Sequence, residues 1–183
     1  PDRQPVMDKW ALSRLNTMVK TVDSDMANYR LPEAARTIQN FVDELSNWYV
    51  RRSRERFWKD PMDQDSINAF LTLYTCLETL AKADAPMIPF MTEEIYQNIV
   101  RSVDAAAPES VHLSSFPTPY EALLDTELEA EREEAMQGVY LVRAARNGAA
   151  IKNRQPLANM FVQSARRLPP DFQSIVLEEL NVK

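Results

Sequence analysis

"PEAARTIQNFVDELSNWYVRR", residues 32–52, is a run of 21 residues with no helix breaker after its opening proline. Proline suits the first position of a helix, where its missing N–H group is not needed. Five apolar side chains recur at three- and four-residue spacing in this run: Ile38, Phe41, Val42, Leu45 and Tyr49. This spacing predicts a long helix with one face pointing into a helical core.

Similar helical patterns occur before and after this stretch. The first segment repeats apolar residues at helical spacing between Leu15 and Met26, and "KDPMDQDS" at 59–66 is a polar turn. A third helix follows, and its apolar side consists of Ile67, Phe70, Leu71, Tyr74, Leu77 and Leu80. The prolines of "DAPMIPF" interrupt the chain before a fourth helix, and an acidic fifth helix is expected from about 120 to 147. We therefore predict a mainly α fold, an antiparallel bundle of about five helices in a domain spanning residues 1–148.

Residues 149–183 have a different pattern. A turn at Gln155-Pro156 precedes the short apolar run Met160-Phe161-Val162, which reads as a strand, and "PPDFQSIVLEEL" reads as a last helix. We expect residues 149–183 to be the beginning of a small α/β C-terminal segment whose remainder is cut off. The chain begins without methionine and stops just after this helix, so we expect a piece of a longer protein.

The composition excludes several classes of site. Two glycines that are ten residues apart cannot form a glycine-rich phosphate loop, and one cysteine excludes an internal disulfide. One histidine with one cysteine cannot supply the four Cys/His ligands of a typical structural zinc site. We find no pattern for nucleophilic, metal or acid–base catalysis, and we expect a cytoplasmic, monomeric protein without a membrane segment or a bound cofactor.

The end of the long helix has a second face that is basic and aromatic. Asn47, Arg51, Arg54 and Trp58 follow one another at spacings of 4, 3 and 4, opposite the apolar stripe. Arginine and tryptophan side chains side by side are typical of surfaces that contact RNA phosphates and unstacked bases. A solvated helix face is the alternative, and the net charge of −6 argues against general nucleic-acid binding.

Two further groups of basic residues remain open. Arg52 and Arg56 continue the apolar stripe, so we expect them at the end of the bundle or in a buried pairing. "IKNRQP", at 151–156, is a small basic turn that is either a solvated loop or a phosphate contact.

Six stretches, in order along the chain, resemble the anticodon-binding region of isoleucyl-tRNA synthetases. They are "DKWALSRLN" (8–16), "NWYVRRSRERFW" (47–58), "LYTCLETLAKADAPMIPFMTEEIYQNI" (73–99), "SVHLSSFP" (110–117), "IKNRQPL" (151–157) and "ELNVK" (179–183). Two of these stretches, "DKWALSRLN" and "APMIPFMTEEIY", are similar in the valyl relatives. "LSNWYVRRSRERFW" and the terminal "LNVK" resemble the isoleucyl version that eukaryotes share with some bacteria.

The resemblance implies a large cytoplasmic class I enzyme that uses ATP, with Mg²⁺, to attach isoleucine to its tRNA. None of the catalytic motifs of that class occurs in this chain. By resemblance, the piece would bind the anticodon stem and loop and would contact the missing catalytic domain. The matched motif implies seven residues for RNA contact or for shaping the contact surface: Asn47, Trp48, Arg51, Arg52, Arg54, Arg56 and Trp58. Lys152 and Arg154 match a basic turn of the family. The alternative is a structural domain that docks on the rest of the synthetase or on a protein partner.

Overall fold

The computed structural model describes residues 5–163 and 167–183, and these residues contain seven α-helices. The helices are α1 (Val6–Ala27), α2 (Leu31–Glu44), α3 (Arg54–Phe57), α4 (Gln64–Asp84), α5 (Pro89–Tyr96), α6 (Thr126–Gly148) and α7 (Pro170–Leu180). The prediction of a mainly α fold is confirmed. The chain divides into two compact units, one up to Leu124 and one from Asp125 onward. The predicted domain boundary after residue 148 stays a prediction.

The first unit is built on the hairpin of α1 and α2. The two helices pack on each other, and α1 also packs on α4. Arg14 of α1 forms an ion pair with Glu44 at the end of α2, with 2.9 Å between Nη2 and Oε2. The core comes from apolar residues at helical spacing in both helices, including Trp10, Leu15, Met18, Val19, Val22, Ile38 and Phe41.

The apolar stripe of the long helix is slightly rotated from its predicted position. Ile38, Phe41, Leu45 and Tyr49 are buried as expected, whereas Val42 is 40% exposed, so its assignment to the core was wrong. Trp48, which the stripe omitted, is only 2% exposed. An ideal helix places Val42 and Trp48 at opposite edges of the stripe, and the fold buries the edge that carries the larger side chain.

A π-helical segment, Leu45–Val50, follows α2 directly. A π turn contains more residues than an α turn, so neighbouring side chains point in more similar directions. Trp48 and Tyr49 are therefore both buried although they are adjacent in the sequence. Single π turns are frequent at functional sites, and this one contains Asn47 and directly precedes Arg51.

Helix α4 turns small residues inward and large apolar residues outward. Six of its residues are buried in the first unit: Ser66, Ala69, Thr72, Cys76, Ala81 and Ala83. Ile67, Phe70 and Leu71 are 41%, 43% and 58% exposed, so the apolar side read from the sequence is not the buried side at this end. Small residues allow close approach of helix backbones, and this leaves an apolar surface on the first unit.

The second unit contains α6 and α7, which pack on each other. Helix α6 begins at Thr126 with Asp125 as its N-cap, several residues later than predicted, after a short 3₁₀ turn at Glu121–Leu123. Among residues 5–163 and 167–183 no helix is long and apolar enough to cross a membrane.

The predicted α/β segment is wrong for the part of the chain that the structure describes. Met160, Phe161 and Val162 form no strand, and Phe161 is 96% exposed. The only β pairing there is an isolated parallel bridge between Leu157 and Val182. A three-residue apolar run has no ladder of hydrogen bonds unless a neighbouring strand supplies it, and the described residues contain none.

In the second unit, hydrogen bonds from a buried arginine, rather than a β-sheet, connect the separate segments. Arg146 of α6 is 3% exposed. Its Nη1 lies 2.8 Å from the carbonyl oxygen of Gln155, and its Nη2 lies 2.6 Å from the carbonyl oxygen of Leu180. Longer contacts of 3.3 and 3.2 Å reach the carbonyls of Lys152 and Asn153. One guanidinium group therefore holds the 152–155 turn and the end of α7 against α6.

We predict that Arg146→Met lowers the free energy of unfolding of the second unit by about 3 kcal/mol, because hydrogen bonds from a charged donor contribute roughly 1.5–3 kcal/mol each. Urea unfolding followed by circular dichroism measures the change. Arg154→Met is the matched control, because Arg154 lies in the turn with an exposed side chain. Equal unfolding midpoints for the two variants would contradict the assignment.

Candidate nucleic-acid interface

The predicted basic row is exposed along its whole length. Asn47, Arg51, Arg54 and Trp58, named here the arginine–tryptophan row, all lie on the solvent side, and Trp58 is 76% exposed. The Nε of Arg51 donates to the carbonyl oxygen of Asn47 at 2.9 Å. The guanidinium carbon of Arg54 lies 5.3 Å from the centre of the Trp58 ring system. The predicted exposure is confirmed, and contact with RNA stays a prediction.

Trp48 and Arg52 form a layer beneath the surface. Trp48 is buried, and the guanidinium carbon of Arg52 lies 5.5 Å from the centre of its ring system. A buried indole cannot stack on an RNA base. The half-buried guanidinium group of Arg52 covers the Trp48 ring. Of the two predicted tryptophans, only Trp58 therefore presents a ring to solvent.

Arg56 lies in a buried pairing, which was one of the two positions expected for it. Its Nη1 and Nη2 lie 2.7 and 2.8 Å from the two carboxylate oxygens of Asp8. Its Nε and Nη2 each lie 2.8 Å from an oxygen of Asp65. Asp8 is completely buried, and the hydroxyl of Tyr49 donates to its Oδ1 at 2.8 Å.

The electrostatics of this cluster follow from its burial. The pKa of Tyr49 is raised well above its ordinary value, first because burial disfavours the phenolate and then because the Asp8 carboxylate repels it. The hydrogen bond to Asp8 is the largest cause of a raised pKa at Arg56, so the guanidinium stays charged. Asp8 is thereby held by a permanent cation and a neutral hydroxyl donor.

The basic turn lies in the second unit. Lys152 and Arg154 are exposed, while the carbonyl groups of the turn bind the buried Arg146. The backbone is thus fixed, and two cationic side chains are left at the surface.

Among residues 5–163 and 167–183, no group of three or more His, Cys, Asp and Glu side chains is placed to hold a metal ion.

Comparison with known proteins decides the family. Residues 8–161 match the model of the anticodon-binding domain of tRNA ligase. The chain belongs to this family of anticodon-binding domains.

Full-length relatives are considerably larger than this anticodon-binding domain. The chain is 53% identical over 178 residues to an isoleucine–tRNA ligase of Clostridium novyi, a match that covers 97% of the chain and 17% of the relative. It is 49% identical to that of Dehalococcoides mccartyi, with 98% and 18% covered, and 40% identical to that of Porphyromonas gingivalis, with 99% and 16% covered. The resemblance read from the sequence motifs is confirmed, and the chain spans less than a fifth of each of these relatives.

Sequence reasoning missed the acidic partners in this anticodon-binding domain. Asp8 opens the "DKWALSRLN" motif, and Asp65 lies in a turn that looked simply polar. The available signal was Arg56, which follows the apolar stripe and therefore requires a buried countercharge. Periodicity shows that such a partner is needed, but it does not show which of the many acidic residues of the chain supplies it.

We predict that Tyr49→Phe destabilises the anticodon-binding domain at neutral pH by about 1.5–3 kcal/mol, because Asp8 loses a hydrogen-bond donor. The pKa of Tyr49 is raised on folding, so its contribution is complete below the unfolded pKa of about 10 and is lost as the pH rises further. The stability difference between the wild type and Tyr49→Phe must therefore shrink above pH 10.

Urea unfolding midpoints of both proteins at pH 7, 9 and 11 measure this difference, and effects of other groups cancel in the comparison. A difference that stays constant across this range would show that the hydroxyl of Tyr49 is not held neutral by burial.

Proposed function

We propose that this chain is the part of an isoleucine–tRNA ligase that binds the anticodon stem and loop of the tRNA for isoleucine. Two findings support the proposal: the family of residues 8–161 and the names of the relatives. The observation that carries it at the level of residues is the exposed arginine–tryptophan row, which lies inside the family segment. An acidic protein that gathers four arginines between positions 51 and 56 has a local charge opposite to its net charge.

The chemistry of the row fits an RNA hairpin. Arg51 and Arg54 are three residues apart and both exposed, the spacing at which side chains are neighbours on a helix surface. Guanidinium groups bind phosphates, and the exposed ring of Trp58 offers a stacking surface to an unpaired base. Asn47 adds an amide that can read a base edge. Arg52 and Trp48 support this surface from below, and Lys152 with Arg154 would bind phosphates from the second unit.

The chemistry of the parent enzyme lies outside this chain. In the proposed parent, a catalytic domain would use ATP, Mg²⁺ and isoleucine, and this chain would contribute affinity and identity of the tRNA without a catalytic residue. A monomeric, cytoplasmic parent fits the same proposal. The family description itself names only the anticodon-binding role.

We predict that Arg54→Gln reduces the salt dependence of tRNA binding. Loss of one phosphate contact lowers the slope of log K against log salt by about 0.7–0.9. Filter binding or fluorescence anisotropy with the tRNA for isoleucine at 50–200 mM salt measures the slope.

Arg36→Gln is the matched control, since Arg36 is an exposed arginine on α2 outside the row and the substitution changes the net charge equally. Equal slopes for the two variants would remove the arginine–tryptophan row from the interface.

We predict that Trp58→Ala weakens tRNA binding by about 1–3 kcal/mol, the range measured for loss of base stacking on an aromatic ring. The same binding assay at fixed salt measures it, and the salt slope must not change because no charge is lost. Phe90→Ala is the control, since Phe90 is 91% exposed and lies on α5. A loss of similar size in both variants would mean that Trp58 makes no specific stacking contact.

A second candidate function rests on the outer side of α4. Ile67, Phe70 and Leu71 expose apolar surface, and the aliphatic side chains of Ile67 and Leu71 offer RNA neither a charge nor an aromatic ring. This surface suits docking on the remainder of the proposed synthetase or on a protein partner. The double substitution Ile67→Ser/Leu71→Ser would then weaken assembly with the catalytic portion and leave tRNA affinity unchanged, whereas a loss of tRNA affinity with intact assembly would assign the surface to RNA.

A further inference from the structure

We propose that Arg56 is a positioning residue of the RNA-binding surface, which clamps the helical turn that carries Arg54 and Trp58 and does not itself contact RNA. This inference rests on the proposed function, and it divides the arginines of the matched motif into two roles. Arg54 faces the ligand, whereas Arg56, two residues later, faces the protein.

The first argument is that four of the five N–H donors of Arg56 are already used. Asp8 binds one edge of the guanidinium group through two oxygens, and Asp65 binds the neighbouring edge through two more. The carbonyl oxygen of Asp65 accepts a further hydrogen bond of 3.2 Å from Nη2. A planar guanidinium group has five N–H donors in a fixed fork, so this arrangement leaves little room for a phosphate.

The second argument concerns charge. One guanidinium group between the two carboxylates of Asp8 and Asp65 gives the cluster a formal charge of −1, from +1 and −2. A phosphate that approached Arg56 would meet this net negative charge at short range. The cluster therefore disfavours an anion, although it lies in the most arginine-rich part of the chain.

The third argument is mechanical. Helix α3 contains only four residues, and one turn of helix has little stability of its own. Arg56 links this turn to α1 through Asp8 and to the first turn of α4 through Asp65. The rings of Phe57 and Phe70, with centroids 5.0 Å apart, add a contact to α4. These links fix the orientation in which Arg54 and Trp58 reach the solvent.

The two roles predict opposite effects for Asp65→Ala. If Arg56 contacted RNA, removal of its acidic partner would free the guanidinium group and strengthen tRNA binding. If Arg56 is a clamp, the same change loosens α3 and weakens binding by about tenfold, within the range of couplings between contacting residues. Asp60→Ala is the matched control, because it removes a nearby exposed acid. Binding by Asp65→Ala that equals or exceeds that of Asp60→Ala would overturn the proposal.

Lysine substitutions supply a second readout. Lysine keeps the charge but cannot reproduce two bidentate pairs, whereas it remains an adequate point-charge partner for phosphate. We expect Arg54→Lys to retain most of the tRNA affinity and Arg56→Lys to lose about tenfold. In a background of Arg54→Gln/Trp58→Ala, Arg56→Lys must cause little further loss, because the groups that it positions are gone; an additive loss would indicate direct contact.

A measurement without RNA separates the clamp from the proposed function. Trp10 and Trp48 are 1% and 2% exposed, so iodide quenches mainly Trp58. The iodide-sensitive part of the fluorescence anisotropy decay must show faster motion in Arg56→Lys than in the wild type. Unchanged anisotropy would overturn the clamp even if tRNA binds, whereas a loosened Trp58 in a chain that fails to bind tRNA would refute only the proposed function.

Discussion

The completely buried carboxylate of Asp8 is the constraint on which the first unit depends. A charge in that position is costly unless it is paired and hydrogen-bonded. Arg56 supplies the pairing and Tyr49 supplies a hydroxyl donor. Because Asp8 and these two partners lie in three separate segments, neutralisation of one carboxylate joins α1, the π-helical segment and α3. Asp65 continues the same network into α4.

This network explains how one short stretch forms two different surfaces. The π turn buries Trp48 and Tyr49 together, and the following residues then alternate between the interior cluster and the solvent. Arg56 turns inward to the acids, while Arg54 and Trp58 turn outward with the guanidinium group beside the indole. Asp8 and Asp65 thus hold the guanidinium group of Arg56 against the protein, and the turn that carries Arg56 exposes Arg54 and Trp58 to solvent.

Much of this could be predicted from the sequence, and what could not has physical causes. The helical class and the exposure of the arginine–tryptophan row followed from periodicity, because both depend on local spacing. The inward side of α4 did not, since close packing selected Ala69 and Thr72 over the larger Ile67 and Phe70. The prediction of a strand at Met160–Val162 was wrong because a strand needs a pairing partner, which the local sequence does not reveal. The partners of Arg56 are 48 and 9 residues away, so only the fold could identify them.

The central claim is that the exposed ring of Trp58 and the arginines beside it meet an RNA hairpin. Fluorescence titration of the chain with the anticodon stem-loop of the tRNA for isoleucine tests this most directly, since Trp10 and Trp48 are shielded from solvent. We predict saturable quenching that disappears in Trp58→Phe and weakens when the loop, but not the stem, carries a different sequence. Quenching that is absent in the wild type, or that persists in Trp58→Phe, would contradict the claim.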